Sequence, residues 1–181
     1  PQGTGGLCVA EGVDIRPWCV GGTGVQTFLP SQPPQYPTRL EAGTRNGHGI
    51  AGLLAAVHFI QEAGMDAIRT HELALTQQFL DGLKQLEAQN LLRIVGKRDC
   101  SDRVGVVSIS TDIMDIAELA FILADKYAIA TRVGLHCAPN AHKTLGTYPT
   151  GTLRFSFGWH NTAEEANVAL QALKEVLAHG L

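Results

Sequence analysis

The sequence predicts an α/β layer fold, and three observations carry that expectation. Apolar residues recur at helical spacing in four separate stretches, short β-branched runs lie between them, and the last two thirds read α-β-β-α-β-β-α. The chain has 181 residues, of which 45% are apolar, enough for a real core. Its net charge of −3, with 14 Lys and Arg scattered rather than blocked, gives no footing for nucleic acid. The longest apolar run, around 50–60, is interrupted by His58 and too short to span a bilayer. No charged segment followed by an apolar one opens the sequence, so the reading carries no export signal and places the chain in the cytoplasm.

The elements follow in order. Pro1-Gln2-Gly3-Thr4-Gly5-Gly6 runs into Leu7-Cys8-Val9, and strands are expected near Leu7 and Val20. A natural chain rarely starts this way, so a longer gene product is expected. From 17 to 39, prolines 30, 33, 34 and 37 predict a long irregular loop. A helix follows Thr44-Arg45-Asn46-Gly47, with Ile50, Leu53, Leu54, Val57 and Ile60 on one face. A second helix over 66–90, about 35 Å long at 1.5 Å per residue, carries the stripe Ile68, Leu75, Phe79, Leu83 and Leu86. Gly64 between them is the expected boundary, giving domains 1–64 and 65–181.

Strands are then expected at 92–95 and 104–110, and a helix over 113–127 capped by Asp112. A strand at 129–133 leads into a loop, and a last strand at 152–157 precedes a helix opened by the capping-box sequence Thr162-Ala163-Glu164-Glu165.

Three clusters carry chemistry. In the last strand, Thr152, Arg154 and Ser156 share one face and Leu153, Phe155 and Phe157 the other, which must pack on helices. Arg154 is therefore aimed off the polar face with small neighbours, and a guanidinium binds a carboxylate in a bidentate fork. A solvated strand arginine fits the same pattern. In Arg132-Val133-Gly134-Leu135-His136-Cys137-Ala138-Pro139, a thiol sits in a Gly/Pro loop beside a histidine and near an arginine, a setting that favours the reactive thiolate. A buried, inert cysteine is the alternative. Third, Gly21-Gly22-Thr23-Gly24 and Glu41-Ala42-Gly43-Thr44 offer open backbone and a hydroxyl to an anion, although Thr44 could equally cap the helix that follows. Neither has the spacing of a Walker loop or a dinucleotide fingerprint. The four cysteines (Cys8, Cys19, Cys100, Cys137) form no CxxC pair, which favours free thiols in a reducing setting. His136, Cys137 and His142 lack the paired spacing of a zinc site, and no metal is expected.

Taken together, these segments, with Arg39-Leu40-Glu41-Ala42-Gly43-Thr44-Arg45-Asn46, Arg154-Phe155-Ser156 and Asn161-Thr162-Ala163-Glu164-Glu165, resemble the class V aminotransferases, in particular cysteine desulfurases and selenocysteine lyases. The resemblance covers essentially the whole chain. It implies the C-terminal portion of a pyridoxal-phosphate-dependent transferase fold, with a remnant of the large cofactor-binding domain and the complete small domain. It implies Cys137 as the nucleophile that takes sulfur from cysteine as a persulfide, and Arg154 as the clamp on the substrate carboxylate. Arg132 and His136 would shape the cysteine loop at the substrate site. Thr44 and Gly43, with Gly22 and Thr23 nearby, would meet a cofactor phosphate, Thr44 across a homodimer interface. The family's Schiff-base lysine has no counterpart here, since Lys84, Lys97, Lys126, Lys143 and Lys174 all follow Gly64 outside any matching context. The piece alone is expected to be inactive. The resemblance leaves open selenocysteine lyase, transaminase or epimerase chemistry, a separate sulfur-acceptor protein, and a purely dimerising or partner-binding role.

Overall fold

The computed structural model describes residues 2–26 and 28–179, the last without its side chain; Pro1, the first residue of the opening motif, lies outside the described residues. The chain divides into two compact units, 1–63 and 64–181.

The first unit is mostly irregular, with a short 3-10 turn at Thr38–Leu40 and one helix, α1 (Gly47–Ala63). No strand forms at Leu7 or Val20, contrary to the sequence reading. A strand needs a neighbour to take its backbone hydrogen bonds, and the described residues supply none there. Tyr36 instead ties the segment locally: its hydroxyl accepts the Ile15 N–H at 2.8 Å, and Arg39 pairs with Asp14 at 2.9 Å. The helix forms where its apolar period predicts, but the stripe is not buried. Ile50, Leu53, Leu54, Val57 and Ile60 are 38–55% exposed, and Trp18 and Phe28 are almost fully so.

The second unit contains α2 (Met65–Ala88), β1 (Arg93–Val95), β2 (Val106–Ser110), α3 (Ile116–Tyr127), β3 (Arg132–Gly134), α4 (Pro139–Leu145), β4 (Thr152–Ser156) and α5 (Ala163–His179). The strands form one sheet in the order β1-β2-β4-β3, every neighbouring pair antiparallel. Helices α2, α3 and α5 supply the apolar layer: Phe79, Leu80 and Leu83, then Leu119 and Leu123, then Leu173 and Val176 are fully buried. The sheet meets them with Ile94, Val107, Ile109, Leu153 and Phe155. Phe79 meets Phe155 at a tilt and Phe157 edge to face, with ring centroids at 4.9 and 5.2 Å. Gly82 lets α5 approach, because Leu170 occupies the space a Cβ would fill.

Two local readings change. The third helix starts at Ile116, and its cap is Asp115, whose Oδ1 accepts the Ala117 and Glu118 N–H groups at 2.8 and 3.1 Å, not Asp112. A cap must lie within reach of the second and third helical N–H groups, and Asp112 precedes the helix by four residues. Helix α4 gives no signal in the sequence because its barely two turns begin on Pro139 and carry no apolar stripe. The capping box of α5 forms as expected: the Thr162 hydroxyl accepts the Glu165 N–H at 3.2 Å, and the Glu165 carboxylate accepts the Thr162 N–H at 2.9 Å. Among the described residues, no helix is long and apolar enough to cross a membrane.

Candidate functional site

Antiparallel pairing with β3 on one side and β2 on the other fixes Arg154. Its partner across β3 is Arg132 and its partner across β2 is Ser108. Residues directly opposite share a face, so two guanidinium groups and a serine stand together on the side of the sheet away from the helices. The Arg154 Nε is buried and has no hydrogen-bond partner among the described residues. A buried donor without a partner costs on the order of 1–3 kcal/mol, and an incoming carboxylate is the natural group to remove that cost. Thr152, two residues earlier on the same face, is buried rather than open to solvent.

The cysteine loop leaves β3 through Gly134, whose φ is +100°. Gly151, at φ +85°, lies so close that a Cβ on it would run into the Gly134 backbone. His136 and Cys137 then adopt φ of +50° and +60° in succession, the left-handed region that costs a non-glycine residue roughly 1 kcal/mol each. Strain of this kind persists only where surrounding contacts hold it. Here the His136 Nε2 lies 3.2 Å from the Arg132 carbonyl oxygen, its ring centroid is 5.8 Å from that of His142, and the Ala138 N–H bonds to the Leu135 carbonyl at 2.8 Å. The resulting turn leaves Cys137 exposed at the entrance to α4. Burial pushes the His136 pKa below the usual histidine range; the Arg132 carbonyl opposes this, and the Arg154, His142 and Arg132 charges add to it. His136 is therefore neutral at physiological pH, a ring that positions rather than a cation.

Cys100 provides the contrast within the same unit. Its thiol is half-buried, 3.5 Å from the Leu73 carbonyl oxygen it donates to, and burial is the first cause raising its pKa. That is the setting of an inert thiol. Among the described residues, no group of three or more His, Cys, Asp or Glu side chains is placed to hold a metal ion.

In the first unit the two glycine-rich segments meet. The Gly43 N–H donates to the Gly22 carbonyl at 2.7 Å, and the Gln32 amide donates to the Gly21 carbonyl at 2.7 Å. Gly43 has φ +84°, and no atom lies within 4 Å of where a Cβ on Gly22 or Gly43 would stand. Thr23 turns its hydroxyl inward to accept the Val25 N–H at 3.4 Å. The competition over Thr44 is resolved by its neighbour: Asn46 caps α1, its Oδ1 accepting the Gly49 N–H at 3.0 Å. Thr44 is exposed and not used as a cap. Open backbone and an uncommitted hydroxyl suit a phosphate.

Thus β3 and β4 bring Arg132, Arg154 and His136 together beside the Cys137 loop, while Gly22, Thr23, Gly43 and Thr44 form a separate cluster in the other unit. Sequence reasoning missed Thr147, a buried hydroxyl that shares a hydrogen bond of 2.7 Å with the Nδ1 of buried His142. The only signal for it was a histidine five residues upstream. A cleft of about 670 Å³ is bordered by Gly146, Thr147 and Gly151 but not by Cys137 or Arg154.

Residues 1–168 match the family of aminotransferases of class V. The chain belongs to the class-V aminotransferase family. It is 36% identical over 141 residues to a probable cysteine desulfurase of Aeropyrum pernix, covering 78% of this chain and 34% of that protein. It is 32% identical over 184 residues to one of Pyrococcus abyssi, covering 98% and 43%. The apo structure of a cysteine desulfurase from Thermococcus onnurineus superposes with a TM-score of 0.72 at 35% identity, over 80% of this chain and 34% of that one. The Escherichia coli cysteine desulfurase CsdA, in an S-sulfonic acid form, gives 0.75 at 28% identity, over 90% and 39%. The chain spans less than half the length of these relatives.

Proposed function

We propose that this chain is the C-terminal half of a pyridoxal-phosphate-dependent cysteine desulfurase, with residues 1–64 belonging to the large cofactor domain and 65–181 forming the small domain. The observation that carries the reading is the strained, exposed Cys137 beside a sheet face on which Arg154 holds an unpartnered donor. The fit to the cofactor phosphate rests on the Gly22–Gly43 contact, the open space where a Cβ would stand on either glycine, and the exposed Thr44. Thr44, Gly43, Gly22 and Thr23 would hold that group; its Schiff-base lysine has no counterpart among the residues that match. When bound, pyridoxal phosphate supplies an electron sink for bonds at the α- and β-carbons of an amino acid.

The chain's own part is binding and sulfur acceptance. Arg154 takes the α-carboxylate of L-cysteine in its guanidinium fork, and Arg132 adds positive charge on the same face. The Cys137 thiolate attacks the substrate sulfur. An S–S bond forms as the Cβ–S bond breaks, the electron pair stays on carbon, and that carbon takes a proton. The products are alanine and a Cys137 persulfide, which a separate acceptor protein then consumes. His136, neutral, packs the loop without competing for the substrate anion.

A homodimer in which Thr44 reaches the neighbour's cofactor phosphate belongs to the same reading, supported by the exposure of Thr44 and of the apolar stripe on α1. By itself the chain is inactive on this reading, and the setting is the cytoplasm. The decisive test is alanine release from L-cysteine by the complete enzyme. The native protein releases alanine and the Cys137→Ala variant does not; equal release from both removes Cys137 from the chemistry. Alanine from L-selenocysteine that survives the Cys137→Ala substitution would instead favour a selenocysteine lyase.

A further inference from the structure

The left-handed His136–Cys137 turn needs something to hold it, and α4 supplies a candidate. His142 sits on α4, immediately after the cysteine loop, and is buried with 5% of its surface exposed. A buried imidazole needs a polar partner, and it has one: Nδ1 lies 2.7 Å from the Thr147 Oγ1, itself buried. Thr147 is anchored at both ends of its own backbone, its N–H donating to the His142 carbonyl at 2.9 Å and its carbonyl accepting the Gly151 N–H at 2.6 Å. Gly151 in turn abuts the Gly134 backbone, where the loop leaves β3. On its other side the His142 ring leans on His136, centroids 5.8 Å apart and planes tilted by 31°. His136 closes the circuit through its Nε2 to the Arg132 carbonyl oxygen.

We propose that His142, locked by Thr147, is a positioning residue: its ring backs His136 and so fixes the strained turn that presents the Cys137 thiol. The assignment rests on the desulfurase reading for its purpose but not for its test. Without the Thr147 bond the His142 ring loses its fixed rotamer, His136 loses part of what covers it, and the turn relaxes toward ordinary φ values. The groups facing His136 are Arg132 from β3, Arg154 from β4 and His142 from α4, with Cys137 beside it along the chain. All three facing groups are cations when charged and hold the pKa down alongside burial, which is the largest of these causes. Hydration of His136 must then raise its pKa.

The experiment is a pH titration of the histidine ring signals by NMR in this chain, paired with iodoacetamide alkylation of Cys137 followed by peptide mass spectrometry. Cys8 and Cys19, both exposed in the other unit, serve as references in the same molecule. The Thr147→Val and His142→Phe variants should move the His136 midpoint up by about half a unit or more and change the Cys137 alkylation rate about threefold. Thr147→Ser, which keeps the hydroxyl, should restore native behaviour; Cys8 and Cys19 should not respond. A His136 midpoint unmoved in either variant that retains the native circular dichroism spectrum overturns the proposal, as does a Thr147→Ser chain that behaves like Thr147→Val. If neither variant folds, the native chain decides. A nuclear Overhauser contact between the two rings and an exchange-protected proton between Nδ1 and Oγ1 support the latch, and the absence of both overturns it. Neither readout uses cofactor or substrate, so failure of the latch and failure of the desulfurase reading are distinguishable.

Discussion

Arg132 and Arg154 face each other as direct partners across the β3–β4 ladder. Like charges directly opposite are destabilising by a few tenths of a kcal/mol to about 1 kcal/mol, and among the described residues no acidic side chain forms an ion pair with either. A sheet that tolerates this pairing is prepared for an anion. Replacing Arg132 by Gln should raise the melting temperature of the free chain slightly and weaken the complete enzyme's affinity for its substrate carboxylate. Calorimetry on the chain and the KM of the enzyme read the two effects. A variant that gains stability with no change in KM would leave Arg132 without a part in binding.

For Arg154 the expectation is steeper. Arg154→Ala removes the fork and should cost the complete enzyme roughly 2–5 kcal/mol of substrate binding if the ion pair is desolvated. Arg154→Lys keeps the charge but not the bidentate geometry, and should recover only part of the loss. Steady-state kinetics on L-cysteine separates them, and unaltered KM and kcat in Arg154→Ala would take the residue out of the site.

Thr44 and Asn46 have separable tasks. Asn46→Ala removes a helix cap and should cost α1 about 1 kcal/mol, visible as reduced helicity or a lower melting temperature. Thr44→Ala should leave the helix untouched, since its hydroxyl caps nothing, yet loosen retention of pyridoxal phosphate by the complete enzyme. Cofactor absorbance after dialysis reads this. Helicity lost in Thr44→Ala would return the residue to a structural role.

Gly151 cannot accept a side chain, because a Cβ there meets the Gly134 backbone and the φ of +85° is unfavourable for any L-residue. Gly151→Ala should destabilise the second unit by more than 1–2 kcal/mol, on the order of other backbone-strain substitutions. Denaturant unfolding measures it. A small effect would mean that β3 is free to move away from β4.

Glu87 links α2 to β1. Its carboxylate accepts the Ile94 N–H at 2.9 Å and pairs with Arg98 at 2.9 and 3.0 Å. The Arg98 hydrogen bond is the largest cause holding its pKa below the usual value of 4.5, against the effect of burial. A carboxylate with a lowered folded pKa contributes stability that is present above its unfolded value and lost as pH falls through the folded one. Stability should therefore fall below about pH 4.5 in the native chain and be flatter there in Glu87→Gln. That variant keeps an amide oxygen for the Ile94 N–H but loses the charge and one acceptor for Arg98, so it should lose no more than about 1 kcal/mol at neutral pH, since the partly exposed ion pair is screened. Matching acid profiles for the two chains would assign acid sensitivity to other carboxylates.

Much of this protein is legible in its residues. Helical periodicity located α1, α2, α3 and α5, and the capping box Thr162–Glu165 located the start of α5, because these signals depend on atoms within a few residues of each other. Alternation along Thr152–Ser156 put Arg154 on the face away from Leu153 and Phe155. The glycine and cysteine motifs were sufficient to suggest the family. What depended on partners distant in sequence was not available. Leu7 and Val20 read as strands because their residues suit one, but a strand exists only where a neighbour pairs with it. The stripe on α1 reads as core and is exposed, since amphipathicity states that a face is apolar and not what covers it.

Sequence alone determined the class of fold, singled out Cys137 and Arg154 as the candidate thiol and guanidinium, and showed no basic stripe or bilayer-length apolar run. The tertiary structure decided the rest. Only the register of β3 on β4 sets Arg132 against Arg154, and only the packing of α4 behind the loop puts His142 between Thr147 and His136. On the proposed latch, Cys137 can occupy a left-handed turn because those contacts, made by residues up to seventeen positions away in the chain, hold it there. Spacing along a chain records which groups are present; the folded backbone decides which of them meet.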